Sequence, residues 1–282
     1  MTPDNSKHMP NVCIITDSTA QFTQPRFPGD ERVHVISFQI KETEHHDDRS
    51  LPGGTPELKP LISPSVQEFV RLYSRLSRIY DSILVLTLSS LLDSTMQNAF
   101  EASEQCKVGA TVLVVDSQTT AIGLGMLVQV AARAASEGAT LSEIDRLLRA
   151  SIPCVYMLLC IPELTCLAQS GYMSNAQAQV AEMMGILPVF TFDDGRLVPM
   201  EKVRTSRHLF EVFQDFMGEF ESPSQIALIY GSGHTNLRIG PLREFIAETF
   251  PQTLFNEYPL QPHAAMLFGP RSIGLVIMEP LE

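Results

Sequence analysis

Residues 83–117, ILVLTLSSLLDSTMQNAFEASEQCKVGATVLVVDS, decide the fold of this chain. Two apolar runs, Ile83–Leu88 and Val112–Val115, predict buried strands, and Asp93–Thr95 predicts the cap of a helix that lies between them. The Ala-, Gly- and Leu-rich run Ala121–Glu137 then predicts a buried helix. Continuous apolar strands that alternate with helices are typical of a parallel sheet covered on both faces.

The same pattern extends toward the N-terminus. Val12–Thr16 and Val33–Ile40 predict two more strands, and Ser63–Ser65 marks the start of an amphipathic helix that reaches Tyr80. The polar stretch Lys41–Pro60 predicts a long exposed loop. We therefore predict a first domain, residues 1–158, that is a three-layer α/β/α unit with a parallel sheet.

The pattern changes after Pro153. A strand at Val155–Ile161 leads through short helices to two apolar runs, and Asp193–Gly195 between these runs predicts a hairpin turn. Helices and strands then alternate up to a last strand at Ile273–Met278. We predict a second domain, residues 159–282, that is an α+β sandwich, with a ligand cleft between the two domains.

Composition excludes several classes of protein. The 282 residues are 44% hydrophobic, which is enough for a core, and 20 basic against 32 acidic residues give a net charge of −12. Such a chain lacks the basic face that binding to nucleic acid or to an anionic membrane requires. The five cysteines show no C-x-x-C spacing, and the sequence has neither an apolar signal region nor an apolar run of about 18 residues. These features predict a cytoplasmic protein without a membrane span.

Small polar residues follow three of the predicted strands. They are found in Thr16–Thr19, in Ser89 and Ser90 with Ser94 and Thr95, and in Asp116–Thr119. Because the carboxyl ends of parallel strands meet at one edge of a sheet, these residues predict a polar crevice that suits an anion. Each group also suits an ordinary helix cap or turn, and this alternative stays open.

Six motifs in order along the chain resemble the DegV family of bacterial fatty-acid-binding proteins. They are IITDSTA (14–20), SPSVQEF (63–69), LSSLLDSTMQNA (88–99), VVDSQTTAIGLG (114–125), ILPVFTFDDGRL (186–197) and KVRT (202–205). The resemblance implies two α/β domains that hold a fatty acid in an interdomain tunnel. It also implies that some members present the carboxylate of that fatty acid to a kinase.

The chain departs from the family pattern around the ligand head group. Where the family has Thr, Ser and His to bind the carboxylate, alignment places Leu61, Ile62 and Leu267, and Asp93 stands in the family's Leu-Ser-Gly-Thr motif. Leucine offers no side-chain donor, and an ionised Asp93 would accept the helix amides and repel an anion. We expect Arg271 either to pair with Asp93 or to receive the anion itself.

These observations predict a lipid-binding protein, not an enzyme, with an altered head-group site and no cofactor other than a bound fatty acid or related lipid. The candidate ligand-binding residues are Asp17, Ser18, Leu61, Ser63, Ser90, Asp93, Ser94, Thr95, Leu267 and Arg271. A long-chain lipid or other amphiphile is the expected partner. The Gly-Gly-Arg motif that the resemblance ties to kinase docking reads Ser170-Gly171-Tyr172 here, which makes a fatty acid kinase a doubtful partner.

Other interpretations remain open. The chain could act without a ligand through protein contacts, for example as a homodimer. The chain could also be a small-molecule enzyme or phosphate binder that uses Gly231–His234. This stretch follows a strand and precedes a helix, as a phosphate-binding turn does, but it lacks a complete dinucleotide or P-loop motif. His45–Asp48 has the residue types of a metal site in one polar loop, where a solvated loop is the simpler interpretation. Methionines in the second domain suit an adaptable apolar tunnel or ordinary core packing.

Overall fold

The computed structural model describes residues 11–40, 61–107, 109–169, 173–231 and 239–281. The strands are β1 Val12–Asp17, β2 Val33–Ile36, β3 Gln39–Ile40, β4 Leu61–Ile62, β5 Ser82–Thr87, β6 Thr111–Asp116, β7 Val155–Cys160, β8 Leu187–Asp193, β9 Arg196–Val203, β10 Gln225–Tyr230, β11 Leu254–Pro259 and β12 Ile273–Met278. The α-helices are α1 Val66–Leu76, α2 Thr95–Gln105, α3 Ala121–Ser136, α4 Leu141–Ser151, α5 Leu164–Gln169, α6 Asn175–Met183, α7 Ser206–Met217, α8 Gly240–Thr249 and α9 Pro262–Phe268.

The first domain is built on a parallel sheet of four strands in the order β2-β1-β5-β6. One face packs on α1 and α2 through Phe69, Tyr73 and Ala99, and the other face packs on α3 and α4. Ser65 and Glu68 form a capping box at the start of α1, as the sequence predicts. The three-layer α/β/α unit is thereby confirmed.

Helix α3 is shared by both domains. It contacts β1 and β5 of the first sheet and also β7 and β12 of the second sheet. Eleven of its sixteen residues are buried: the half Ala121–Val128 is buried on every side, whereas Arg133 in the C-terminal half is exposed. The backbones of Gly125 and Gln21 approach so closely that only glycine fits at position 125.

The second domain is built on a mixed sheet of six strands in the order β11-β10-β12-β7-β8-β9. Helices α7 and α8 cover one face through Leu209, Phe213, Leu242 and Ile246, and the other face joins the core around α3. The predicted hairpin is confirmed, with Asp194 and Gly195 at positive φ in the turn between β8 and β9. The fold class is therefore the predicted one, an α/β domain followed by an α+β domain.

Some boundaries differ from the prediction. The predicted strand Val33–Ile40 is two strands, because the chain leaves the sheet after Ile36 and Gln39–Ile40 pairs with Leu61–Ile62. Strand β7 pairs entirely within the second sheet, so the predicted domain boundary after residue 158 falls inside this strand. The sequence prediction also missed helix α9, which lies between β11 and β12. Among the described residues, no helix combines the length and apolar character needed to cross a membrane.

Candidate functional site

Three strands of the first sheet end in a polar region, where the sequence predicts the crevice, and Asp17 is buried within this region. One carboxylate oxygen accepts hydrogen bonds from the backbone nitrogen of Thr19 at 2.8 Å and from the Thr19 hydroxyl. The other accepts from the backbone nitrogen of Leu88 at 2.7 Å, which joins the ends of β1 and β5. Asp17 is fully buried, and it therefore holds the crevice together from inside.

Burial raises the pKa of Asp17 from 3.8 to about 6. Loss of solvation is the largest cause, and the nearby carboxylate of Asp93 raises the pKa further. The hydrogen bonds from Thr19 and Leu88 act in the opposite direction because they favour the ionised form. The base of the crevice therefore carries a carboxyl group that titrates close to neutral pH.

This raised pKa predicts a pH-dependent contribution to stability. The folded state binds more protons at Asp17 than the unfolded state does between about pH 4 and pH 6, so the contribution is full below pH 3.8 and is lost as pH rises through about 6. The test measures the free energy of unfolding in urea for the native chain and for Asp17→Asn. The native value minus the variant value should increase from pH 7 to pH 4, by at most about 3 kcal/mol. The subtraction cancels other titrating groups, such as His34, and a difference that stays flat over this range would contradict the shift.

Asp93 organises the side chains at the mouth of the crevice. One carboxylate oxygen accepts from the Ser63 hydroxyl at 2.7 Å and from the Thr95 hydroxyl at 2.9 Å, and the other accepts from the backbone nitrogen of Thr95 at 2.9 Å. The Ser94 hydroxyl lies 3.3 Å from that of Ser63. Asp93 thus takes the helix amide, as the sequence predicts, and also engages two of the predicted ligand-binding hydroxyls.

Ser18 and Ser90 make separate contacts. The Ser18 hydroxyl accepts from the backbone nitrogen of Phe38 at 2.9 Å. The Ser90 hydroxyl donates to the carboxylate of Asp116, which also accepts from the backbone nitrogen of Ser90 at 3.2 Å. These two serines fix the loops beside the crevice, as ordinary turn residues do.

The hairpin turn of the second domain reaches the crevice of the first. The Ser89 hydroxyl donates to the carbonyl oxygen of Gly195 at 2.6 Å, and a Cβ atom at Gly195 would lie 2.7 Å from that same hydroxyl. The approach therefore needs glycine at this turn. This hydrogen bond joins the polar end of the first sheet to the second domain.

Leu61 and Leu267 lie on neighbouring elements, since β4 contacts α9. Both leucines are partly buried against the core cluster that contains Leu92. The ring of His263, also on α9, lies 6.5 Å from the ring of Phe38. The crevice is therefore bordered by apolar side chains on the side of α9.

Arg271 forms an ion pair with Glu163, and its backbone nitrogen donates to the other oxygen of the same carboxylate at 3.2 Å. The sequence analysis predicted that Arg271 either pairs with Asp93 or receives the anion, and the structure adds Glu163 as a partner of its guanidinium. Glu163 is only 5% exposed and immediately precedes α5, so its buried carboxylate requires a cationic partner. Gly269 allows the close approach, because a Cβ atom there would lie 2.5 Å from the Glu163 carboxylate.

An apolar cavity of about 760 Å³ lies in the second domain. Helices α5 and α6 form one side of it and strands β8 and β9 the other, and its lining residues all fall within 164–202. The methionines Met173 and Met184 line it, while Met217 is packed in the core. None of the predicted ligand-binding residues is among the lining residues of this cavity.

The cavity lining and the apolar residues near Asp93 belong to one core. Leu164, Leu167 and Phe190 line the cavity and also belong to the core cluster that contains Leu92. Leu61 and Leu267 pack against this same cluster. The core is therefore continuous across the two domains.

Several predicted features lie outside the described residues. These are Tyr172 with its motif, His45–Asp48, and the Ser232–His234 part of the candidate phosphate turn. Gly231 is described, and a Cβ atom there would lie 1.8 Å from the carbonyl oxygen of Pro270, so packing alone accounts for this glycine. The described part of the chain contains no group of three or more side chains placed to hold a metal ion.

Sequence reasoning missed two residues of the site. Glu163 and Gly195 each contact a partner that is distant in sequence, which no local pattern reports. A signal for Glu163 existed, since an acidic residue within an apolar stretch needs a partner when it is buried. Arg271 carries the complementary charge, so charge balance could have paired the two.

The fold and the site together define a class: a two-domain α/β protein with a polar interdomain crevice beside an apolar cavity. The family model described as "Uncharacterised protein, DegV family" matches residues 11–280. A DegV domain-containing protein of Listeria innocua is 30% identical over 286 residues, which are 94% of this chain and 97% of that protein. The chain belongs to the DegV family.

Solved structures of the family have the same fold. A fatty acid binding DegV family protein from Streptococcus agalactiae superimposes with a TM-score of 0.81 at 21% identity, over 96% of this chain and 99% of that one. A DegV family protein from Eubacterium eligens, loaded with heptadecanoic acid, gives a TM-score of 0.78 at 18% identity, over 95% and 100%. At these identities the likeness establishes the shared two-domain fold.

Proposed function

We propose that this protein binds a long-chain amphiphile whose hydrocarbon part occupies the cavity between α5–α6 and β8–β9. The apolar cavity of about 760 Å³ carries this proposal, because its volume falls in the range of ligand-binding pockets. Its lining is dominated by aliphatic and methionine side chains, with Gln177 and Lys202 as polar members. Family relatives that hold fatty acids, such as the protein loaded with heptadecanoic acid, support the same class of ligand.

The polar end of the ligand is proposed to face the crevice around Asp93. There the hydroxyls of Ser63 and Thr95 already donate to the Asp93 carboxylate, so they are not available to a second carboxylate. Asp93 and Asp17 both disfavour an added negative charge. The head group that fits best is therefore neutral or cationic and can donate a hydrogen bond to Asp93.

We further propose that the protein is a carrier, not an enzyme, and that it acts in the cytoplasm without a cofactor. Acyl transfer by a serine commonly uses a histidine as the base, and the hydroxyls of Ser63, Ser89, Ser90 and Ser94 donate to an aspartate, a carbonyl or another hydroxyl and not to a histidine. Poor phosphorylation of a bound fatty acid by a fatty acid kinase remains a prediction from Tyr172. Formation of acyl phosphate in a reconstituted assay would refute it.

A second candidate function is binding to a protein partner. The exposed apolar side chains on and next to α6 support it. Met183 is 87% exposed, and Val180 and Met184, which also line the apolar cavity, are more than half exposed. An apolar surface of this kind suits a protein partner, including a second copy of the chain. This candidate does not require a bound ligand.

Solvent extraction followed by mass spectrometry tests the binding function. The purified native protein should release a long-chain lipid in about equimolar amount, whereas Ala181→Trp should release at least about tenfold less, because the indole fills the cavity from α6. Gln179→Trp is the matched control, since it places the same ring on the exposed face of the same helix outside the cavity lining. If native protein is empty and takes up neither hexadecanol nor palmitate, the protein-contact function replaces the proposal.

A further inference from the structure

His263 is a half-buried histidine on α9 that the proposed function does not use. Its ring lies 6.5 Å from the ring of Phe38. Among the described residues, the ring of His263 has no hydrogen-bond partner, and neither of its nitrogens is a buried atom without a partner. The nitrogens are therefore accessible to a ligand, to which an imidazole offers both a donor and an acceptor.

The pairing of β3 with β4 links the surroundings of His263 to those of Asp93. When the antiparallel register of the two strands is extended by one residue, Phe38, just before β3, lies opposite Ser63, just after β4. Side chains opposite each other in such a ladder lie about 5 Å apart and point to the same face. The Ser63 hydroxyl donates to Asp93 at 2.7 Å. His263 thus lies next to one member of this cross-strand pair, and Asp93 contacts the other.

The face of the ladder that carries Ser63 is turned toward α9. Leu61 lies two residues before Ser63 and so points to the same face, and it packs on the core cluster that includes Ala264 of α9. Strand β4 also contacts α9 directly. On α9, His263 and Leu267 are one helical turn apart and lie on the same side of the helix. An imidazole and a carboxylate are therefore brought to the same part of the molecule, next to two leucines.

Asp93 can accept a further hydrogen bond. One of its carboxylate oxygens accepts from the hydroxyls of both Ser63 and Thr95. Among the described residues, the other oxygen accepts from the backbone nitrogen of Thr95 alone, at 2.9 Å. A carboxylate oxygen can accept two hydrogen bonds. A ligand that reaches this second oxygen must therefore donate to it.

Two hydrogen-bonding groups on separate elements restrict the head group of the ligand. Asp93 repels a carboxylate. An ammonium group would engage Asp93, but it has only donors and offers nothing to the N–H of His263. A single hydroxyl can reach Asp93, and a second polar atom is needed to reach the imidazole beyond the pair of Phe38 and Ser63. A head group with two hydroxyls meets both requirements.

We propose that the ligand has an uncharged head group with two or more hydroxyls, as in a monoalkyl glycerol. One hydroxyl donates to Asp93 and another hydrogen-bonds to His263, which makes His263 a residue that determines specificity. Leu61 and Leu267 suit the carbon atoms that join the head group to the chain. This inference rests on the proposed function, because the hydrocarbon part is placed in the apolar cavity between α5–α6 and β8–β9.

Affinities for 1-O-hexadecylglycerol and hexadecanol, measured with the native chain and with His263→Leu, test the inference. The two ligands share the same alkyl chain and differ in their number of hydroxyls. The native chain should bind 1-O-hexadecylglycerol at least about fivefold more tightly, as expected for one additional hydrogen bond. His263→Leu should bind the two ligands about equally and keep the native affinity for hexadecanol. A histidine with only a structural role would instead weaken both ligands when replaced.

Three variants serve as controls. His208→Leu removes an exposed histidine from α7, outside the cavity lining, and should keep the native preference. His263→Gln retains a donor and an acceptor and should keep part of the preference. Ala181→Trp should weaken both ligands, because both place their chain in the same cavity.

The outcomes separate this inference from the proposed function. If the native chain binds both ligands equally, or if the preference persists in His263→Leu, the inference is overturned and the lipid-binding function stands. If the native chain binds neither 1-O-hexadecylglycerol nor hexadecanol nor palmitate, both are overturned. A preference that disappears in His263→Leu and persists in His208→Leu supports the inference.

Discussion

Asp93→Ser should bind palmitate at least about tenfold more tightly than the native protein at pH 7. The substitution removes a negative charge whose repulsion of a carboxylate about 4 Å away amounts to roughly 1–4 kcal/mol, for a dielectric constant between 80 and 20. It also frees the hydroxyls of Ser63 and Thr95, which donate to Asp93 in the native chain. Helix α2 should lose little stability, because Asp93 precedes the N-cap residue Ser94 and a serine at position 93 can also accept from the backbone nitrogen of Thr95. Calorimetric titration measures the affinity.

Two variants isolate the cause. Asp215→Ser removes the same charge from the exposed surface of α7, and it should leave palmitate affinity unchanged. Asp93→Asn keeps the shape and removes the charge, so it should fall between the native chain and Asp93→Ser. Tight binding of palmitate by the native chain that weakens in Asp93→Ser would show that Asp93 is not repulsive. It would also disprove the proposed preference for a neutral or cationic head group.

Gly125→Ala should destabilise the protein by more than about 4 kcal/mol, a loss that is exceptional for one added methyl group. A Cβ atom at Gly125 would lie 1.9 Å from the carbonyl oxygen of Gln21 and 2.5 Å from its carbonyl carbon. Both atoms belong to the backbone, and α3 is enclosed between two sheets, so neither side can move away cheaply. In an exposed helix, replacing glycine by alanine stabilises the helix by about 1 kcal/mol. At position 125 the same replacement should destabilise the protein.

Two other glycines provide a graded comparison in urea unfolding. At Gly123, a Cβ atom would meet the side chains of Thr119 and Val155, which can rotate, so Gly123→Ala should cost less than Gly125→Ala. Gly109 has no atom within 4 Å of its added Cβ, so Gly109→Ala should be close to neutral. Equal stability of all three variants would mean that α3 is not held as tightly as described.

The fold was predictable where local sequence and tertiary packing agree. The buried strands and the helix Ala121–Glu137 are continuous apolar runs, and the turn Asp193–Gly195 needs residues that accept positive φ. The prediction was wrong at Val33–Ile40, where alternation continues although the chain changes from one sheet to another. Helix α9 was missed because it spans only seven residues between two strands.

The site was less predictable because most of its contacts join distant parts of the chain. The contact of Asp93 with Thr95 is local and was expected, but its contact with Ser63 joins two loops. The pairing of Arg271 with Glu163 spans 108 residues, and neither residue has a neighbour in sequence that indicates the other. Sequence spacing thus brought the polar strand ends together in the prediction, while the charge pairing of Arg271 with Glu163 emerged only from the tertiary structure.

The position of β12 has a consequence for synthesis of the chain. This strand, Ile273–Met278, pairs on both sides, with β10 and with β7, and so lies inside the six-stranded sheet although it is the last strand to be made. The four strands of the first sheet are complete by Asp116, so the first domain can form while translation continues. Until residue 278 has left the ribosome, β7 and β10 each keep an open strand edge, which exposes the nascent second domain to pairing with other chains.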